Sequence, residues 1–172
     1  MTKGEKIIIY TDGGSRNNPG PSGIGVVIGK EDGTVIKEIS KFLGKQTNNW
    51  AEYEAIITGL EEVKKMLGKE RARETVIEVR ADSELVVRQL SGLYQVKEET
   101  LFPQFIKIWN LRVTYFPHLT FTHVRREHNK HADALANEAI DSADSTSSPQ
   151  ANSPQVDAGS TKSKSHNAKL DF

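Results

Sequence analysis

No cysteine occurs among the 172 residues, which removes disulfides, thiolate catalysis and cysteine-ligated zinc and fits a reducing compartment. An excess of either charge is also missing. With 23 Lys and Arg against 23 Asp and Glu, no global field draws in a polyanion, so nucleic-acid binding has to come from local patches. No run approaches the roughly 20 apolar residues that span a bilayer. The opening MTKGEKIIIY lacks a signal-length apolar stretch. These absences lead us to expect a soluble, cytoplasmic protein without membrane contact, and with nothing calling for an obligate assembly, a monomer.

The length suits one domain with some excess. Composition changes near residue 142. From there SADSTSSPQANSPQVDAGSTKSKSHNAK holds Ser, Pro, Asn, Gln and Gly with almost no large apolar residues, too little burial to offset chain entropy. The expected organisation is a domain over 1–141 and a disordered tail over 142–172.

Within the domain, patterning predicts strands at about 6–12, 22–30 and 34–43, joined through PGPSG and the EDG turn as an antiparallel meander. A helix follows over about 49–67, with Tyr53, Ile56, Ile57, Leu60, Val63 and Leu67 on one face, ended by Gly68. A strand at 75–81 leads to a short helix bearing Leu85, Val86 and Leu90. Then come a helix at about 101–114, a strand at 119–124 and a last helix with Asn129 as its N-cap. The expected fold class is α/β: a five-stranded mixed sheet covered by helices.

Four acids stand in separate contexts: Asp12 in TDGGSRNNPG, Glu52 in NNWAEYEA, Asp82 in VRADSE and Asp133 in NKHADALAN. Each has an ordinary reading. Asp12 can cap the turn at Gly13 and Gly14, Asp82 with Ser83 can cap the next helix, and Glu52 and Asp133 can complement helix N-termini. Yet ligands of open α/β sheets collect beyond the carboxyl ends of strands. Parallel pairing of the strands ending at Asp12 and Asp82 sets their Cα atoms about 5 Å apart. Glu52 shares a helical stripe with Ile56, Gly59 and Val63, facing the sheet, where Gly59 permits close approach. Carboxylates so gathered repel unless a cation intervenes, and hard oxygen donors favour Mg²⁺ or Mn²⁺.

TDGG followed by NNPGPSG, then AEYEA, ADSE and HADALAN, in that order, resembles type 1 ribonuclease H over residues 6–141. The form resembled is the short prokaryotic one, without a basic protrusion between the middle helices (SGLYQVKEETLFPQF is too short for it) and without an N-terminal hybrid-binding module. The resemblance implies a ribonuclease H-like fold, a five-stranded mixed sheet in the order 3-2-1-4-5 with its second strand antiparallel and helices flanking it, and an endonuclease that hydrolyses the RNA strand of RNA/DNA hybrids. It further implies two divalent ions held by Asp12, Glu52, Asp82 and Asp133, and 5′-phosphate and 3′-hydroxyl ends, in keeping with two-metal phosphodiester hydrolysis. The alternative is a domain of the same fold that binds nucleic acid or a protein without cutting; such a module would have lost an acid, and all four are present.

By the same resemblance Gly13, Asn18, Asn49 and Glu84 fall at contacts to the RNA strand, and Thr47 with Asn48 at a phosphate pocket for the DNA strand. Glu84 departs from the glutamine many relatives carry. Asn48 and Asn49 can equally cap the helix. A histidine assists in well-studied relatives, and in the short loop VRREHNKHAD the candidate is His128, with His123 and His131 nearby. Arg80, Arg88 and Lys97 could form a modest phosphate patch, while Trp50 and Trp109 read as packing residues. The terminal NAKLDF resembles peptides that dock on the bacterial sliding clamp, with Asn167 in place of glutamine, so clamp contact is a further expectation.

Overall fold

The computed structural model describes residues 4–146. The elements follow in the order β1 (Lys6–Ser15), β2 (Gly20–Lys30), β3 (Val35–Gln46), α1 (Asn48–Glu74), β4 (Val76–Ala81), α2 (Glu84–Leu90), α3 (Phe102–Thr114), β5 (Leu119–His123) and α4 (Lys130–Thr146). Short 3₁₀ turns, Glu99–Leu101 and Arg126–His128, precede α3 and α4. The sheet order is β3-β2-β1-β4-β5. β1 pairs antiparallel with β2 and parallel with β4, and β4 pairs parallel with β5. No helix of the described residues is long and apolar enough to cross a membrane.

The strands outrun the expected bounds because the ladder continues past the apolar residues. β1 does not end at Asp12; Gly13, Gly14 and Ser15 stay paired with Ile24, Gly23 and Ser22. PGPSG lies largely within β2, and the turn is made by the residues before it. Helix α1 also exceeds its expected end. Gly68 breaks the helix with φ 72° and ψ 172°, a left-handed φ that glycine tolerates without cost, and helix resumes to Glu74, returning Ala72 to the core.

Alternation decides which side of the sheet each helix covers. Ile9 and Val26 point toward α1, where a Cβ on Gly59 would meet Ile9 Cγ2 at 2.8 Å. This is the close approach expected of Gly59. The opposite face carries Gly23 and Gly25 beneath α4. Ile56, Leu60 and Val63 of α1 are buried with Ile7, Ile9, Ile77 and Val79 in one core that α3 extends through Ile108 and Leu111. A buried hydrogen bond crosses this layer, the Tyr53 hydroxyl donating to Gln89 Oε1 at 2.8 Å.

Trp50 is partly buried against the core as expected. Trp109 is not a packing residue; it is 55% exposed on the outer side of α3. The last helix extends past the compositional break to Thr146, with Arg16 paired to Asp141 and Asp144. The NAKLDF segment and the rest of 147–172 lie outside the described residues.

Candidate active site

The β1–β4 register runs Tyr10↔Arg80 and Thr11↔Ala81, so the residues that follow, Asp12 and Asp82, leave adjacent parallel strands side by side. Glu52 reaches them from the first turns of α1. Gly13 makes that approach possible: a Cβ there would lie 2.4 Å from Ala51 C and O and 2.6 Å from Glu52 N. Side-chain oxygens of Asp12, Glu52 and Asp82 all fall within 4.8 Å of one another.

Asp133 arrives from the opposite face. Asp12 is paired across the ladder with Gly25, and a Cβ on Gly25 would sit 1.9 Å from Ala132 O and 2.7 Å from Ala136 N, so α4 rests directly on β2. The start of α4 is fixed by Asn129, which is 1% exposed. Its Nδ2 donates to Thr11 O at 3.0 Å, and its carbonyl accepts from Asp133 N. Asn129 stands at the N-cap position as expected, but its side chain makes no capping bond: Oδ1 has no partner among the described residues, and Nδ2 is spent on the strand. Asp133 is thereby brought near the Asp12 carboxyl, and all four acids line one cavity of about 280 Å³ with Gly13, Asn48 and Arg126.

Burial first, and then the charges of Asp82 and Asp133, push the Asp12 carboxyl up to about 8. Burial also raises Glu52 to about 7, against the Ser83 hydroxyl, which lowers it, and with Asp82, which raises it. Glu52 Oε2 is buried without a hydrogen-bond partner. Clustered oxygens, carboxyls that burial makes reluctant to ionise and an unpartnered acceptor are what a hard divalent cation would relieve. The residues fit such an ion.

The capping alternatives resolve onto neighbours. Ser83, not Asp82, caps α2 through Val86 N, and Thr47 caps α1 through Trp50 N at 3.2 Å, so neither Asn48 nor Asn49 is the cap. Asn48 Oδ1 accepts from Ser15 N at 2.8 Å, and Asn18 Oδ1 accepts from Asn48 N at 3.0 Å, tying the β1–β2 turn to the head of α1. Asn49 lines a neighbouring groove of about 460 Å³ with Leu85, Gln89, Tyr94, Lys97 and Glu98. Glu84 lines neither cavity and pairs with Arg88 at 2.8 Å.

Among the described residues the histidines do not join the acids. His123 and His128 line a separate cleft with Tyr10, Arg80 and Arg125, and His131 pairs with Glu38. Arg80 bonds Glu78 and the Tyr10 hydroxyl, so it forms no patch with Lys97. The residue of this loop that does line the acid cavity is Arg126, its Nε 4.0 Å from Asp82. No local signal set Arg126 apart from Arg125 or His128; only the 3₁₀ turn assigns the direction.

This mixed sheet, with acids meeting where the pairing of β1 with β4 ends and helices on both faces, defines the ribonuclease H-like class. A family model described as Reverse transcriptase-like matches residues 10–139. Ribonuclease HI of Halobacterium salinarum is 39% identical over 141 residues, 82% of this chain and 67% of that protein. A crystal structure of LC11-RNase H1 in complex with RNA/DNA hybrid is similar at TM-score 0.76 and 52% identity, covering 80% of this chain and 98% of that one. The bifunctional protein Rv2228c of Mycobacterium tuberculosis is 40% identical over 139 residues, 80% of this chain. The chain spans only 36% of the length of that relative. The chain belongs to the ribonuclease H family.

Proposed function

We propose that this protein is an endonuclease that hydrolyses the RNA strand of RNA/DNA hybrids, leaving 5′-phosphate and 3′-hydroxyl ends. The observation that carries the proposal is the convergence of Asp12, Glu52 and Asp82 oxygens within 4.8 Å around an unpartnered Glu52 Oε2. Two Mg²⁺ or Mn²⁺ ions held by Asp12, Glu52, Asp82 and Asp133 would supply Lewis acidity at the attacking and departing oxygens of an in-line displacement.

The chain's own groups do the rest. Gly13, lacking a side chain, lets the head of α1 pack against β1 and bring Glu52 beside Asp12. Asn48 lines the cavity and its backbone N donates to Asn18 Oδ1; with Thr47 these are the polar groups offered to the hybrid. Asn49 and Glu84 sit toward the α2 side, where 2′-hydroxyls of an RNA strand distinguish it from DNA. Arg126 offsets phosphate charge over the acids.

The test is incubation of the protein with labelled hybrid, duplex RNA and duplex DNA, with and without magnesium, beside Asp82→Asn. Cleavage confined to the RNA of the hybrid, dependent on the ion and nearly abolished in the variant, is expected. An Asp82→Asn protein that cut at the parental rate would refute the assignment.

A further inference from the structure

Helix α3 is apolar on two sides. Gln104, Ile108 and Leu111 are buried against the domain, whereas Phe102, Ile106, Trp109 and Val113 are 43%, 56%, 55% and 57% exposed. Spaced by four, three and four residues, these four side chains fall within an arc of roughly 60°. Single exposed apolar residues are ordinary, but a continuous row of large ones marks an interaction surface. The spacing is that of a coiled-coil seam.

We propose that this face of α3 pairs antiparallel with the same face of a second copy of the chain. A two-fold axis level with Lys107 and Ile108 sets Phe102 against Val113 of the other copy, and Ile106 against its Trp109. The four-residue row is thus complementary to itself, as an isologous contact requires. Ile106 also borders a groove of about 420 Å³ with Pro103, Lys107 and Asn110, a recess level with the incoming indole.

Charge selects the antiparallel sense. The entry to α3 carries Glu98 and exposed Glu99, and its last turn carries Arg112. Arg73 adds a second cation there, bonded to the carbonyls of Val113 and Thr114 at 3.4 and 2.9 Å. A parallel pair would oppose like charges at both ends. The antiparallel pair brings Arg112 level with Pro103 of the second copy, one helical turn from Glu99. Lys107, near the axis, lies 3.9 Å from Glu61 of its own chain, so two unpaired ammonium groups do not meet.

A pair of 13-residue helices about 20 Å long falls short of the roughly 1,200 Å² of a stable interface. The association is therefore weak, micromolar or poorer, and the dilute chain is a monomer. Sedimentation velocity of the full chain from about 5 to 500 μM tests this. The mass should rise from 19.1 kDa toward twice that value. The double variant Ile106→Glu, Trp109→Glu should remain monomeric throughout with an unchanged circular dichroism spectrum, since both sites face solvent. Arg112→Glu should weaken association about tenfold, and adding Glu99→Arg should restore it. A parent chain that stays monomeric at the highest concentration overturns the proposal, as does a double variant that associates like the parent.

Discussion

Replacing Asp12 by Asn should stabilise the metal-free protein at alkaline pH and remove most of the stabilisation that magnesium confers. In the unfolded chain Asp12 and Glu52 ionise near 3.8 and 4.5, whereas the folded site holds them at about 8 and about 7. The folded state therefore retains protons that the unfolded chain has released. Stability from these two groups is complete below about pH 4 and is lost as pH rises through 7 and 8. The gap for Asp12 sets the scale at roughly 2–5 kcal/mol once sharing of charge among neighbouring carboxylates is allowed for. At about 2–4 °C per kcal/mol for a domain of this size, the Tm of the parent in EDTA should fall about 5–15 °C further between pH 5 and 9 than that of Asp12→Asn. Magnesium at a hundredfold excess over its Kd should return about 2.7 kcal/mol to the parent and far less to the variant. Glu78, held near 2 by Arg80 and then Lys6, is ionised throughout this range and does not interfere. Calorimetric melts at about pH 5, 7 and 9, in EDTA and in magnesium, provide the reading. Parallel pH profiles for parent and variant would refute the argument.

Gly25→Ala should cost about 3 kcal/mol or more, because the new methyl group meets the α4 backbone at Ala132, and urea denaturation measures it. Asn129→Ala should cost about 1–3 kcal/mol by stranding Thr11 O and should shrink the magnesium-dependent rise in Tm by loosening Asp133; an unchanged rise would separate Asn129 from the site. Tyr53→Phe should lose about 1–2 kcal/mol in urea denaturation, since Gln89 Oε1 is left without its donor in the core.

The strands were readable from their apolar runs and turn residues, and their order from the family resemblance, while Asp12, Glu52, Asp82 and Asp133 were readable because each stood in a distinctive local motif. What escaped depends on long-range partners. The Asn129 amide bonds Thr11, 118 positions earlier, and no nearby pattern distinguishes that role from a cap. Arg126, Arg125 and His128 look alike in sequence, and a single 3₁₀ turn sends the first to the acids and the others to another cleft. The outward row of α3 was hidden because Leu101, Phe105, Ile108 and Leu111 intersperse it with core residues, leaving periodicity no polar side to mark.

Helix α4 is held to β1 and β2 by two different devices: a hydrogen bond from Asn129, just before the helix, to Thr11 on β1, and a missing side chain at Gly25 on β2. Both can be met only when those strands are aligned as they are here. Any slippage of the hairpin would satisfy one anchor and forfeit the other, so docking of the last helix acts as a gauge that accepts only a correctly aligned hairpin.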